Sequence, residues 1–237
     1  VDFYEAARGE GLKPIIGCEA YITTGSRFDK RPKSQGGAAT HHLTLLAQNR
    51  AGYHNLCKLV TRGFIEGFYS KPRIDFELLK ELNEGLIVLS GCLSSEFAQY
   101  AKQHDREGAK KYVSRLVDVF GDRFYLEVQP HEVPEQKLLN ALARDLGQEM
   151  SIPLVATNDA HYLCQGDGYA HEVLLCVSTG KLISDPERMK HEGAELYFKT
   201  YEDMLAGLPQ FDEAIKQSVE IAKRCELEFD FSTYYMP

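Results

Sequence analysis

The sequence predicts an α/β fold, either a barrel or an open parallel sheet, followed by a helical tail. Two observations carry this reading. Short apolar runs alternate with stretches of 3.6-residue periodicity as far as His161, and after it the alternation stops and only helical patterns follow. Several of the apolar runs are also short enough to be strands buried on both faces, which suits a parallel sheet better than a sandwich.

In order along the chain, residues 1–10 carry a helical pattern through Phe3, Tyr4 and Ala7, ended near Gly11 and Pro14. Residues 15–22 (Ile-Ile-Gly-Cys-Glu-Ala-Tyr-Ile) read as a strand. Residues 23–40 hold Gly25, Pro32, Gly36 and Gly37 among several Lys and Arg, and are expected to be a mobile surface loop. A strand follows from about His42 to Ala47, then a helix over 50–66 and a shorter one over 75–83. Leu86-Ile87-Val88-Leu89 is a compact buried strand, followed by helices near 94–104 and 106–120 and a strand at Phe124–Val128. Leu138, Leu139, Leu142 and Leu146 mark a helix over 133–149, before a last strand over 154–157. The tail contributes helices over 166–180, 201–207 and 210–225.

Composition sets limits on function. A net charge of −8 over 237 residues provides no global field to hold a phosphate backbone, so any contact with nucleic acid is local or supplied by other segments. No apolar run approaches a membrane span, and no membrane partner is expected. Cysteines 18, 57, 92, 164, 176 and 225 form no CxxC pair, which points to reduced thiols and a cytoplasmic location. The chain opens on Val1 without an initiator Met and ends at Pro237 directly after Tyr234-Tyr235, so both ends are expected to be cut from a longer polypeptide. With no Walker A loop, GxGxxG or GxSxG, nucleotide triphosphate cleavage, hydride transfer and serine hydrolysis find no support.

The candidate chemistry lies at strand ends. The run Leu154-Val155-Ala156-Thr157 delivers Asp159 and His161, which point the same way in extended backbone and could share one metal ion. Glu19 is expected to close the first strand, and Cys92 follows the Leu86 strand. Thiolate, carboxylate and imidazole are common Zn²⁺ ligands. His41 and His42 open their strand, which fits a rim site only if that strand runs antiparallel to its predecessor; adjacent residues face opposite ways, so at most one is a ligand. His131 also follows a strand and is a candidate for supporting the site or touching substrate. His54 and His104 are expected to be solvated, His171 and His191 structural, and the basic residues of 23–40 merely soluble.

With these residues set out, the sequence resembles the PHP (polymerase and histidinol phosphatase) domain family, in the form found in the alpha subunits of bacterial DNA polymerase III. The resemblance is carried by Gly11-Leu-Lys-Pro-Ile-Ile-Gly-Cys-Glu-Ala-Tyr21, by His42-Leu-Thr-Leu-Leu-Ala-Gln-Asn49 and by Gly85-Leu-Ile-Val-Leu-Ser-Gly-Cys-Leu93. It continues through Val155-Ala-Thr-Asn-Asp-Ala-His-Tyr162, Ala170-His-Glu-Val-Leu-Leu-Cys176 and Glu220-Ile-Ala-Lys-Arg-Cys225.

The resemblance implies a distorted (β/α)7 barrel over residues 1–165, lacking its first strands, and a helical extension over 166–237 leading toward a polymerase palm. It implies Glu19, His42, Cys92, Asp159 and His161 as metal ligands, selects His42 over His41, and leaves His41 and His131 as supporting residues. The cofactor would be Zn²⁺ or Mn²⁺ in a three-metal cluster, incomplete here because the family's upstream His-x-His, Asp and Thr-Asp-His-Gly ligands are absent. The implied chemistry is 3′–5′ exonucleolytic phosphodiester cleavage in a DNA-directed DNA polymerase, with DNA and the other holoenzyme subunits as partners. This chain alone is expected to be inactive. The rival readings are a free-standing phosphatase for a small ester such as histidinol phosphate, against which the 162–237 extension counts, and a structural docking module.

Overall fold

A computed structural model describes residues 1–190 and 195–233. His191 and the Tyr234–Pro237 end lie outside the described residues.

Helix starts follow local capping chemistry. Helix α1 (Asp2–Gly9) leads into β1 (Gly17–Thr23), which is followed by β2 (Thr40–Ala47). Helix α2 (Arg50–Ile65) begins where the Asn49 side chain accepts the Gly52 N–H at 3.0 Å. After β3 (Arg73–Ile74), Asp75 caps α3 (Phe76–Glu81) through the Leu78 N–H. Beyond β4 (Leu86–Leu89), Ser95 caps α4 (Glu96–Lys102) and Asp105 caps α5 (Arg106–Phe120). Each cap satisfies an amide that the first turn leaves unpaired. Strand β5 (Phe124–Val128) leads to α6 (Pro134–Met150), which opens on a proline whose fixed φ suits that position. Strand β6 (Leu154–Ala156) precedes α7 (Gly168–Thr179), α8 (Tyr201–Gly207) and α9 (Asp212–Arg224).

Among the described residues six strands form one sheet in the order β3-β1-β2-β4-β5-β6. The β3–β1, β4–β5 and β5–β6 pairs are parallel, while β2 is antiparallel to both β1 and β4. Strand β2 is therefore the reversed strand that a rim position for His42 requires. The sheet leaves β3 and β6 as its two edges among the described residues, a mixed α/β arrangement followed by helices and consistent with the barrel-like fold that the sequence predicts.

Two apolar layers sandwich the sheet. On one face Leu43, Leu45, Leu86, Val88, Phe124 and Leu126 meet helices α2 to α6, all nearly inaccessible to water. On the other, Ile87, Leu89, Tyr125 and Val155 meet Ile221 and Cys225 at the end of α9. Burial on both faces explains why β4 reads as a continuous apolar run and β5 as one broken only by Glu127. Helix α9 is held there by Arg224, which donates to the Tyr125 hydroxyl at 2.6 Å, and by Lys13, which donates to the Ala222 carbonyl at 2.8 Å.

Three expectations need correction. The first strand begins at Gly17 and runs to Thr23, so Glu19 sits inside it and does not close it. Strand β3 was not foreseen, since two residues are too short to show a period. The 23–40 segment is not uniformly mobile: Arg27 is buried, donates to Asp75 at 2.9 Å and to Glu66 at 2.6 Å, and so fastens the loop to α2 and α3. The acids that hold this arginine lie 48 and 39 residues away in sequence, and spacing along one chain does not show such a pairing.

Candidate metal centre

The site is built first by a register. In the β1–β2 ladder Glu19 lies opposite Thr44 and Tyr21 opposite His42. Residues two apart share a face, so Glu19 and His42 are diagonal neighbours, while Ala20, Ile22, Leu43 and Leu45 turn to the helical layer. Glu19 Oε1 and His42 Nδ1 stand 2.8 Å apart, and the Tyr21 ring meets the imidazole edge-on with centroids 5.1 Å apart. His41, facing the other way, is half-buried, and burial pushes its imidazole below the usual range.

A turn supplies the third group. Strand β4 ends at Leu89, and Gly91 adopts φ +87°, a left-handed conformation that suits glycine. The chain then brings Cys92 Sγ to 3.8 Å from His42 Nδ1 and 3.9 Å from Glu19 Oε1. One ligand atom from each of Glu19, His42 and Cys92 lies within 4.8 Å of the others.

This donor set fits a divalent ion. For Zn–ligand bonds of 2.0–2.3 Å, tetrahedral ligand atoms lie roughly 3.3–3.8 Å apart. The two sulfur separations are close to that span, and the shorter Glu19–His42 contact is a hydrogen bond whose proton an ion would displace. Contacts with Cys92 first, and then with Glu19, push the His42 imidazole up to about 10. The hydrogen bond to His42 holds Glu19 below the usual carboxylate range.

Asp159 and His161 form a neighbouring pair and do not join this three-group cluster. Asp159 has φ +48°, a conformation Asp tolerates better than most residues. Its carbonyl oxygen lies 2.6 Å from His161 Nδ1, and its carboxylate 3.9 Å from the same atom. The segment is anchored by the His161 N–H to the Leu196 carbonyl at 2.7 Å. The His161 charge is a lesser contributor to the lowering of the Glu19 carboxyl, after His42. His171 meets His161 edge-on at 5.4 Å. His131 is buried beside a cavity of about 220 Å³ shared with Lys137, Arg144 and Phe211, apart from the cluster. His54 and His104 are exposed, as expected.

Sequence reasoning missed Glu127. It is the one acid of β5, only 4% exposed, and it accepts the Gly91 N–H at 3.1 Å and a Gln129 side-chain N–H at 3.0 Å. It also accepts the Thr157 hydroxyl. The available signal was a single carboxylate within a strand otherwise apolar enough to be buried on both faces.

Comparison with known proteins adds a relationship. The family profile described as "PHP domain" matches residues 1–131. The chain is 42% identical over 243 residues to the DNA polymerase III subunit alpha of Thermus aquaticus, covering 100% of this chain and 20% of that protein. It is 41% identical over 245 residues to the protein of the same name from Deinococcus radiodurans, covering 100% of this chain and 18% of that one. For the Aquifex aeolicus protein of that name the identity is 38% over 251 residues, with 99% and 21% covered. The chain thus spans about a fifth of the length of the curated relatives it matches.

Proposed function

The chain belongs to the PHP domain family, and from that premise we propose that it is a metal-binding part of a bacterial replicative DNA polymerase alpha subunit. Its chemistry would be metal-dependent cleavage of a phosphodiester at a DNA 3′ end. The observation that carries this reading is the convergence of Glu19 and His42, from two paired strands, and Cys92, from the turn after β4, onto one point.

Glu19, His42 and Cys92 would hold a Zn²⁺ or Mn²⁺ ion, and Asp159 with His161 would supply the adjoining ligands. A bound ion of this kind lowers the pKa of its water toward neutrality and stabilises charge on a phosphoryl oxygen. The protein's own part is to orient: the β1–β2 register fixes the carboxylate against the imidazole, and the Gly91 turn fixes the thiol. Glu19 retains a side chain that is 47% exposed, which gives a phosphate access to the centre.

The partners in this reading are DNA and the other subunits of the polymerase holoenzyme, in the cytoplasm. Among the described residues no helix is long and apolar enough to cross a membrane. A charge of −8 favours DNA contacts made largely by other parts of the parent. The proposed division places the barrel in residues 1–165 and the helical extension in 166–237, with α9 packing back against the sheet.

The test compares this chain with the full-length parent, measuring metal stoichiometry and release of labelled nucleotides from single-stranded DNA 3′ ends. This chain should hold one ion and show no appreciable cleavage. The parent should hold more and cleave, and should lose cleavage on Asp159→Ala. A chain that binds no ion, or a parent indifferent to Asp159→Ala, overturns the proposal.

A further inference from the structure

The buried acid of β5 connects two pieces of the site that, among the described residues, no backbone pairing connects to each other. Its Oε2 accepts the Gly91 N–H, one residue before Cys92. Its Oε1 accepts the Thr157 hydroxyl, two residues before Asp159, and the Gln129 amide, which lies 3.1 Å from the same Thr157 oxygen. Its own N–H donates to the Ser90 hydroxyl at 2.9 Å. Ser90 and Gln129 are themselves buried, so water does not compete for these bonds.

Each segment also has a backbone tie to β5: Ser90 N–H to the Tyr125 carbonyl at 3.0 Å, and Thr157 N–H to the Val128 carbonyl at 3.1 Å. Those ties hold the strands. The Glu127 carboxylate instead joins the two loops that carry the ligands, and the groups that donate to it, the Gly91 N–H, the Gln129 amide and the Thr157 hydroxyl, are neutral. Burial, and then the charge of Asp159, push its carboxyl above the usual range. A cation in the adjoining centre would offset that cost, whereas a side chain needed only for stability would be better replaced by an apolar one.

We infer that Glu127 is a positioning residue that sets Cys92 and the Asp159–His161 pair at their spacing for the metal ion. The inference rests on the metal-binding reading above. Such outer partners commonly contribute about 10–100-fold to metal affinity without touching the ion.

The probe is cobalt(II) alone, titrated into the whole chain and followed by the near-ultraviolet sulfur-to-cobalt charge-transfer band, which reports the Cys92 thiolate. Glu127→Ala and Thr157→Val should each bind cobalt about 10–100-fold more weakly, with a diminished band and unchanged far-ultraviolet circular dichroism. Glu127→Gln keeps an acceptor for Gly91 and should recover most of the affinity. If Glu127→Ala does not fold, Thr157→Val decides, because it removes one tether through a change of similar shape. Native-like titrations for the Ala and Val variants overturn the inference alone. A native chain without any charge-transfer band overturns the metal-binding reading, and this inference with it.

Discussion

The backbone of Gly91 runs so close to that of His42 that a Cβ added at Gly91 would lie 3.1 Å from the His42 carbonyl oxygen and 3.0 Å from Ser95 Cβ. The absence of a side chain at one position thus sets how near the Cys92 thiol comes to the His42 imidazole.

Gly91→Ala should therefore act twice. Holding φ +87° with a Cβ present costs about 1–2 kcal/mol, visible as a lower denaturation midpoint. The same shift should move Cys92 away from His42 and weaken metal binding beyond that loss. A variant with reduced stability but native metal affinity would show that the turn does not position the thiol.

The His42–Glu19 pair predicts a pH profile for the metal-free chain. His42, raised from 6.5 to about 10, contributes stability that is fully present below 6.5 and lost as pH rises through about 10. Glu19, held below its ordinary 4.5, contributes above 4.5 and loses its contribution as pH falls. The difference in urea midpoint between the native chain and His42→Gln should be largest between these ordinary values, and should vanish above about 10. A difference that grows with rising pH would contradict the assignment.

Metal affinity should run the other way. A proton must leave His42 before an ion can take its place, so apparent affinity should climb with pH from mildly acid to mildly alkaline solution. At a free-ion concentration 100 times the dissociation constant the ion should add about 2.7 kcal/mol to stability. Chelation should abolish the increment, and His42→Ala should show none. Thermal scans with and without chelator measure both.

Asp75→Ala should be severely destabilising although Asp75 lies outside the metal centre. Its carboxylate accepts from Arg27 and caps α3 through Leu78, and both members of the ion pair are buried. Leaving Arg27 without that partner should cost about 3–5 kcal/mol in denaturant titrations. Metal affinity per folded molecule should be unchanged; a large drop would mean that the 23–40 loop contributes to the centre.

The strand pattern of β4, β5 and β6 was legible because burial on both faces leaves short apolar runs, broken only by Glu127 in β5. The reversal of β2 could be inferred because His42 opens its strand while Cys92 follows one. Glu19 was identified as a ligand candidate for a partly mistaken reason: it reaches the centre across a diagonal of the β1–β2 ladder, from within its strand. Register depends on pairing between distant residues, and one sequence does not display it. Glu127 and Arg27 escaped notice for a related cause, since the value of a buried charge lies in partners 30 to 48 residues away.

The order of the proposed ligands along the chain has a kinetic consequence. Glu19 and His42 are separated by 23 residues, whereas Cys92 lies 73 residues from Glu19, and joining the longer loop costs about 1 kcal/mol more chain entropy. The imidazole–carboxylate contact belongs to the β1–β2 pair, the nearest of these pairings in sequence; Cys92 arrives only when β4 docks, and Asp159 only when β6 does. In a chain emerging from its N-terminus, two of the proposed ligands are in place long before the others exist. Refolding in the presence of cobalt should then show the charge-transfer band lagging behind hairpin closure, so the ion serves as a clock for the docking of β4.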